Sequence, residues 1–139
     1  MTKVFVHEIR VGWADCDPAR IAFTGNVVGF ALRAIDAWWE ATTGADWFRL
    51  NLDRDIGTPF VHLSVDFRSP VTPRHPLLCE VRLTKFSGRS VRLSVRGLQD
   101  DKLCFEGHFV EALVRASDFG KAPLDEDVAA KLRAAVAKA

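Results

Sequence analysis

The chain has 139 residues, 48% of them hydrophobic, a size and composition that fit one globular domain spanning 1–139 and burying roughly two thirds of its unfolded surface. Lysine and arginine total 19 against 18 aspartate and glutamate, so the net charge of +1 gives no reason to expect nucleic acid or a membrane surface as partner, and any anionic ligand has to be caught by local charges. The first residues lack the apolar core of a signal peptide and no later apolar run approaches a membrane span, which predicts a cytoplasmic protein.

Val4 to Val11 places Phe5, His7, Ile9 and Val11 at alternate positions, with Trp13 continuing the row, which predicts a first strand with one covered face. The loop that follows carries two carboxylates, Asp15 and Asp17, on either side of Cys16, and Pro18 fixes the backbone after Asp17. Asn26 is expected to cap the helix that comes next. That helix, from Val27 to Ala41, is apolar nearly all round, with Arg33, Asp36 and Glu40 confined to one stripe, so it is expected to be mostly buried. Gly44 suits the left-handed position after a helix, and Ala45 to Asn51 forms a short further helical turn.

From Ile56 the period changes to two: Val61, Leu63, Val65 and Phe67 share one face of a strand, and His62, Ser64 and Asp66 mark its wet side. Leu77 to Phe86 and Ser90 to Leu98 read as a hairpin turned at Ser87-Gly88-Arg89. Gln99-Asp100-Asp101-Lys102 is a further turn, Leu103 to Arg115 a last long strand, and Glu126 to Lys138 a terminal helix. The order predicts an α+β fold in which one antiparallel sheet covers one long helix, with a short helix at the end. A helix this apolar needs more cover than one small flat sheet provides, so strong curvature, a dimer or both are expected.

Cys16, Cys79 and Cys104 are an odd number without close pairing and read as reduced thiols. His7, His75 and His108 lack ligand-like spacing, and no metal is expected.

Asp15-Cys16-Asp17-Pro18-Ala19, the apolar helix after it, and Ile56-Gly57-Thr58-Pro59 before a long strand resemble the hotdog-fold acyl-CoA thioesterases of the 4-hydroxybenzoyl-CoA thioesterase type. The resemblance implies a hotdog fold, in which a curved antiparallel sheet wraps round a central helix and two subunits join sheets edge to edge. It implies active sites at the dimer interface and Asp17 as the catalytic carboxylate. Arg89-Ser90 resembles the short basic turn with which relatives contact the coenzyme's phosphates. Four positions depart from the family pattern: Arg20 stands where glycine is usual, Thr24 and Val27 stand near where aromatic residues are usual, and Leu32 stands where many members carry an acid that holds a ring hydroxyl, which a leucine cannot do.

Hydrolysing a thioester needs an attacking oxygen and stabilisation of the carbonyl oxygen as it becomes negative. The leaving thiol, with a pKa of about 8.5, departs as thiolate without a dedicated acid. Asp17 would attack directly or take a proton from water. The backbone N–H of Thr24, with Gly25 and Asn26 as competitors, would face the carbonyl oxygen, a kind of contact whose loss costs about 3 to 4 kcal/mol. Gly25 would let the acyl group approach the backbone closely. The expected protein is therefore a homodimeric or homotetrameric acyl-CoA thioesterase without cofactor, coenzyme A being part of the substrate. The alternative on the same fold is a protein that binds acyl-CoA or acyl-carrier-protein esters without cleaving them.

Overall fold

A computed structural model describes residues 4–136. β1 (Phe5–Ile9) leads through a 3-10 turn at Trp13–Asp15 to α1 (Thr24–Thr43) and α2 (Trp47–Asp53). Then come β2 (Ile56–Gly57), β3 (Phe60–Phe67), β4 (Leu77–Phe86), β5 (Ser90–Gln99), β6 (Lys102–Ala112), β7 (Val114–Arg115) and α3 (Glu126–Ala135). The predicted terminal helix is present, and its expected extension to Lys138 lies outside the described residues.

Five strands form one antiparallel sheet in the order β1-β4-β5-β6-β3, and β2 pairs with β7 in a small second sheet. The predicted last strand is thus two: Leu113 breaks it, its N–H donating to Arg89 O at 2.8 Å. Gln99, read as a turn residue, ends β5 and is buried, and the turn is the pair Asp100-Asp101, both at positive φ. Paired left-handed residues match a two-residue hairpin whose twist follows the strands. Trp13, expected in the first strand, sits 74% exposed in the 3-10 turn.

The sheet's inner face is the alternating set Leu77, Cys79, Val81 and Leu83 with Val91, Leu93 and Val95 and with Phe105 and Phe109. It curves over α1, whose Val27, Phe30, Ala31, Ala34, Ile35, Trp38 and Trp39 recur at three- and four-residue spacing and are buried. Seven buried side chains on one helix make this the principal core, each worth up to about 1.5–3 kcal/mol for the larger ones. Gly44 takes φ +85 and closes the helix with its N–H on Glu40 O at 2.8 Å, as the sequence predicts. α3 lies against α1 and the far part of β4, its Val128 and Leu132 buried and its start tied down by Arg54 to Asp125 and Asp127. This is the hotdog arrangement: a curved antiparallel sheet round one long helix, with a short helix appended.

One part of the sheet is left bare. α1 lies against β1, β4 and β5, whereas on β3 only Phe60, against Trp47, and Val65 reach the core: Leu63 is 43% and Phe67 51% exposed, with bulged Val61 at 64%. β3 is also the sheet's edge, so one row of its backbone groups has no partner strand.

Candidate active site

Asp17 stands at the start of a tight turn. Arg20 N donates to Asp17 O at 2.8 Å and Asp17 N to Ile21 O at 3.1 Å, and Cys16 bridges Ala22 across the two arms. Arg20 takes φ +67, a conformation that costs an ordinary side chain about 1 to 2 kcal/mol and glycine very little. A glycine would hold that backbone at little cost; this chain closes the turn around arginine. The Asp17 carboxylate is half-buried; its Oδ1 accepts the N–H of Ala19 at 2.8 Å, and Oδ2 has no protein partner among the described residues.

Asp15 does different work. Its Oδ2 accepts from Gly12 N at 2.8 Å, and its carbonyl receives Phe23 N at 2.9 Å and Asn26 Nδ2 at 2.8 Å. Asp15 therefore ties the incoming loop to the helix start and leaves Asp17 as the carboxylate available for chemistry. Ala22, buried, donates to Val71 O at 2.8 Å, which fastens the turn to the body. Val71 is held in turn through Thr72, whose N–H and C=O are both bound by the buried Gln99 side chain at 2.9 and 2.7 Å.

The helix begins earlier than expected. Its N-cap is Phe23, not Asn26, and Thr24, Gly25 and Asn26 form the first turn. Asn26 and Val27 donate their N–H groups to Phe23 O at 2.9 and 3.2 Å, so the amides of Thr24 and Gly25 precede the first intrahelical bond. Both residues are exposed, and no side chain caps this end. The Asn26 side chain braces the turn, donating to Asp15 O, and its backbone N–H is already bound to Phe23 O, which leaves Thr24 and Gly25 with the unclaimed amides. Unclaimed N–H groups at the positive end of a 20-residue helix stabilise negative charge.

Arg89 and Ser90 are not brought to Asp17 within one chain. Asp17 lies at the end of the sheet where β4 begins and β5 finishes; Arg89 lies at the other end, the ten residues of β4 away, about 30 Å at strand rise. Ser90 is occupied by the hairpin, its N–H and hydroxyl both meeting Ser87 Oγ at 3.1 Å. Arg89 lines a cavity of about 460 Å³ together with Lys121, over a floor of Ala112, Leu113, Val114 and Pro123. No acid lines it. Lys121 carried no motif in the sequence; only the path of the connector before α3 places it there.

Two of the three thiols, Cys79 and Cys104, are poor nucleophiles. Burial pushes Cys79 up to about 12 and raises Cys104 as well. Cys16 is half-buried, its Sγ 3.6 Å from Gly12 O. Among the described residues no cluster of three or more His, Cys, Asp or Glu is placed to hold a metal ion, and no helix is long and apolar enough to cross a membrane.

A family model described as the thioesterase-like superfamily matches residues 11–132. No curated protein matches the chain. Among solved structures, a thioesterase-superfamily protein from Jannaschia sp. CCS1 is 43% identical over 97% of this chain and 94% of its own, with a TM-score of 0.92. A 1,4-dihydroxy-2-naphthoyl-CoA thioesterase from Synechocystis is 20% identical, covering 94% of this chain and 96% of its own at a TM-score of 0.82. A DHNA-CoA thioesterase from Staphylococcus aureus is 15% identical, covering 94% and 91% at 0.82. At those identities the last two share the fold.

Proposed function

Because the chain belongs to the thioesterase-like superfamily, we propose that it hydrolyses a coenzyme A thioester to the free acid and coenzyme A, with Asp17 as the catalytic carboxylate. The observation that carries this reading is the Asp17 turn. A carboxylate with one unclaimed oxygen is braced beside the first turn of a long helix whose Thr24 and Gly25 N–H groups are unclaimed too. The substrate carbonyl oxygen faces those amides, which stabilise the negative charge that grows on it. Asp17 then attacks the carbonyl carbon, or takes a proton from a water that does so. The C–S bond breaks, its electron pair leaves on sulfur, and the thiolate is protonated by solvent. When Asp17 is the attacker, water cleaves the resulting anhydride and returns the carboxylate.

The site is read as composite. Two copies pairing antiparallel along β3 would complete the edge, cover Leu63 and Phe67, and bring the partner's hairpin end to this chain's Asp17 end. The partner's Arg89 and Lys121 would then meet the coenzyme's phosphates, and the apolar floor of their cavity its base. The cavity's volume lies within the range of small-molecule sites. Leu32, half-buried on α1, offers a ring hydroxyl no partner, which favours an acyl group without one.

Free-thiol release measured across short, long and aryl acyl-CoAs tests the reading. Turnover of at least one class is expected. Tight binding without release across the panel would instead mark a non-catalytic acyl-CoA binder on the same fold.

A further inference from the structure

Phe23 is aromatic where no core asks for it: 53% of it is exposed, between buried Ala22 and the first helical residue. Its backbone is clamped by three bonds, N–H to Asp15 O and C=O from Asn26 and Val27, so the ring turns only about its own side-chain torsions. The ring lies on Gly25: a β-carbon there would stand 3.1 Å from Phe23 Cε2 and 3.4 Å from Cδ2. Alternation across the Cys16–Ala22 bridge puts this ring and the Asp17 carboxylate on the same face of the turn. A thioester oxygen about 3 Å from the Gly25 or Thr24 amide must carry its acyl carbon into van der Waals range of that ring.

We propose that Phe23 is the specificity-determining residue of this site: its ring, lying against the bare α-carbon of Gly25, forms one flat wall of a slot beside the helix amides. The slot admits acyl groups that are planar or unbranched at the carbon next to the carbonyl and rejects those with tetrahedral branching there. The proposal rests on the thioesterase reading. Gly25 serves the slot by lacking a β-carbon, which would crowd Phe23 Cε2 at 3.1 Å and displace the ring.

The test compares kcat/KM for the fastest acyl-CoA of the panel with that of its α-methyl derivative, or phenylacetyl-CoA with 2-phenylpropanoyl-CoA if aryl groups are preferred. The wild type is expected to favour the unbranched ester at least tenfold, the scale of one methyl group against a shaped pocket. Phe23→Ala should bring the ratio near one and Phe23→Leu leave it between. Gly25→Ala should lower kcat/KM for both esters, and the Phe23→Ala/Gly25→Ala pair should recover most of the loss. A ratio unmoved by Phe23→Ala, with mass and melting unchanged, overturns the proposal. Should Phe23→Ala disturb mass or melting, Phe23→Leu carries the comparison, and an unmoved ratio there overturns it equally. A wild type that cleaves no thioester defeats the hydrolase reading and this slot with it; turnover with an unmoved ratio defeats the slot alone.

Discussion

Glu111 projects from β6 into the core, wholly buried, its Oε1 accepting the indole N–H of Trp39 at 3.1 Å. Desolvation raises its pKa to about 7 from a usual 4.5; the Trp39 hydrogen bond offsets part of the rise and the nearby Asp36 charge adds to it. The folded chain therefore favours the neutral acid. Its contribution to stability is complete below the unfolded value near 4.5 and is lost as pH climbs through about 7. Glu111→Gln should accordingly gain stability relative to wild type on going from pH 4 to pH 8, by up to about 3 kcal/mol, read from urea unfolding at both pH values. A difference that stays level across that range would contradict the account. The sequence did hold a signal for this residue, because Phe105, Phe109 and Glu111 fall on the inward row of one strand and an acid there breaks the pattern. Arg20 carried a signal only through the resemblance, as a departure from glycine; its left-handed backbone follows from the Asp17–Ile21 pairing, which no periodicity reveals.

Among the elements, α1 and β3 show where the pattern of the chain was readable. The long helix was legible from its apolar recurrence, but only from Val27, because Thr24, Gly25 and Asn26 are small or polar and carry no period. Their helicity comes from the clamp on Phe23 and from the Asn26 brace to Asp15, bonds whose pairing leaves no period in the sequence. The strand Phe60–Phe67 was legible from alternation, with Leu63, Val65 and Phe67 on one face and His62, Ser64 and Asp66 on the other. That it forms an edge, with Leu63 and Phe67 left exposed, follows from strand order and lay beyond a reading of local pattern. Leu63→Lys places a charge on that face, so in the proposed dimer it should give a monomer by light scattering while the melting transition stays cooperative. A dimer of unchanged mass would reject β3 as the joint.

At the scale of the molecule, the sheet order decides what one chain contains. The sequence grouped Asp17, Thr24, Gly25, Asn26, Arg89 and Ser90 as one constellation, and the fold divides them: Thr24 and Gly25 open the helix, Asp17 lies in the turn before it, Asn26 braces that loop to the helix, and Arg89 lies about 30 Å off beside Lys121. The division has a physical cause, since a ten-residue strand separates the loop before α1 from the β4–β5 turn. In the proposed dimer, an antiparallel pairing of two β3 edges would reunite the halves, each protomer supplying a carboxylate to one site and cations to the other. The exposed Leu63 and Phe67 of β3 and the need to cover them belong to the same arrangement.

Every part of this account passes through one carboxylate. The direct measurement is thiol release from the best acyl-CoA of the panel by wild type and by Asp17→Asn, under conditions where both retain the same mass and melting temperature. Asparagine keeps the shape of the side chain and an oxygen for the Ala19 amide, and removes the charge that attacks or takes the proton. The account predicts that kcat falls about 10³-fold with binding little changed. Undiminished turnover in Asp17→Asn would contradict it.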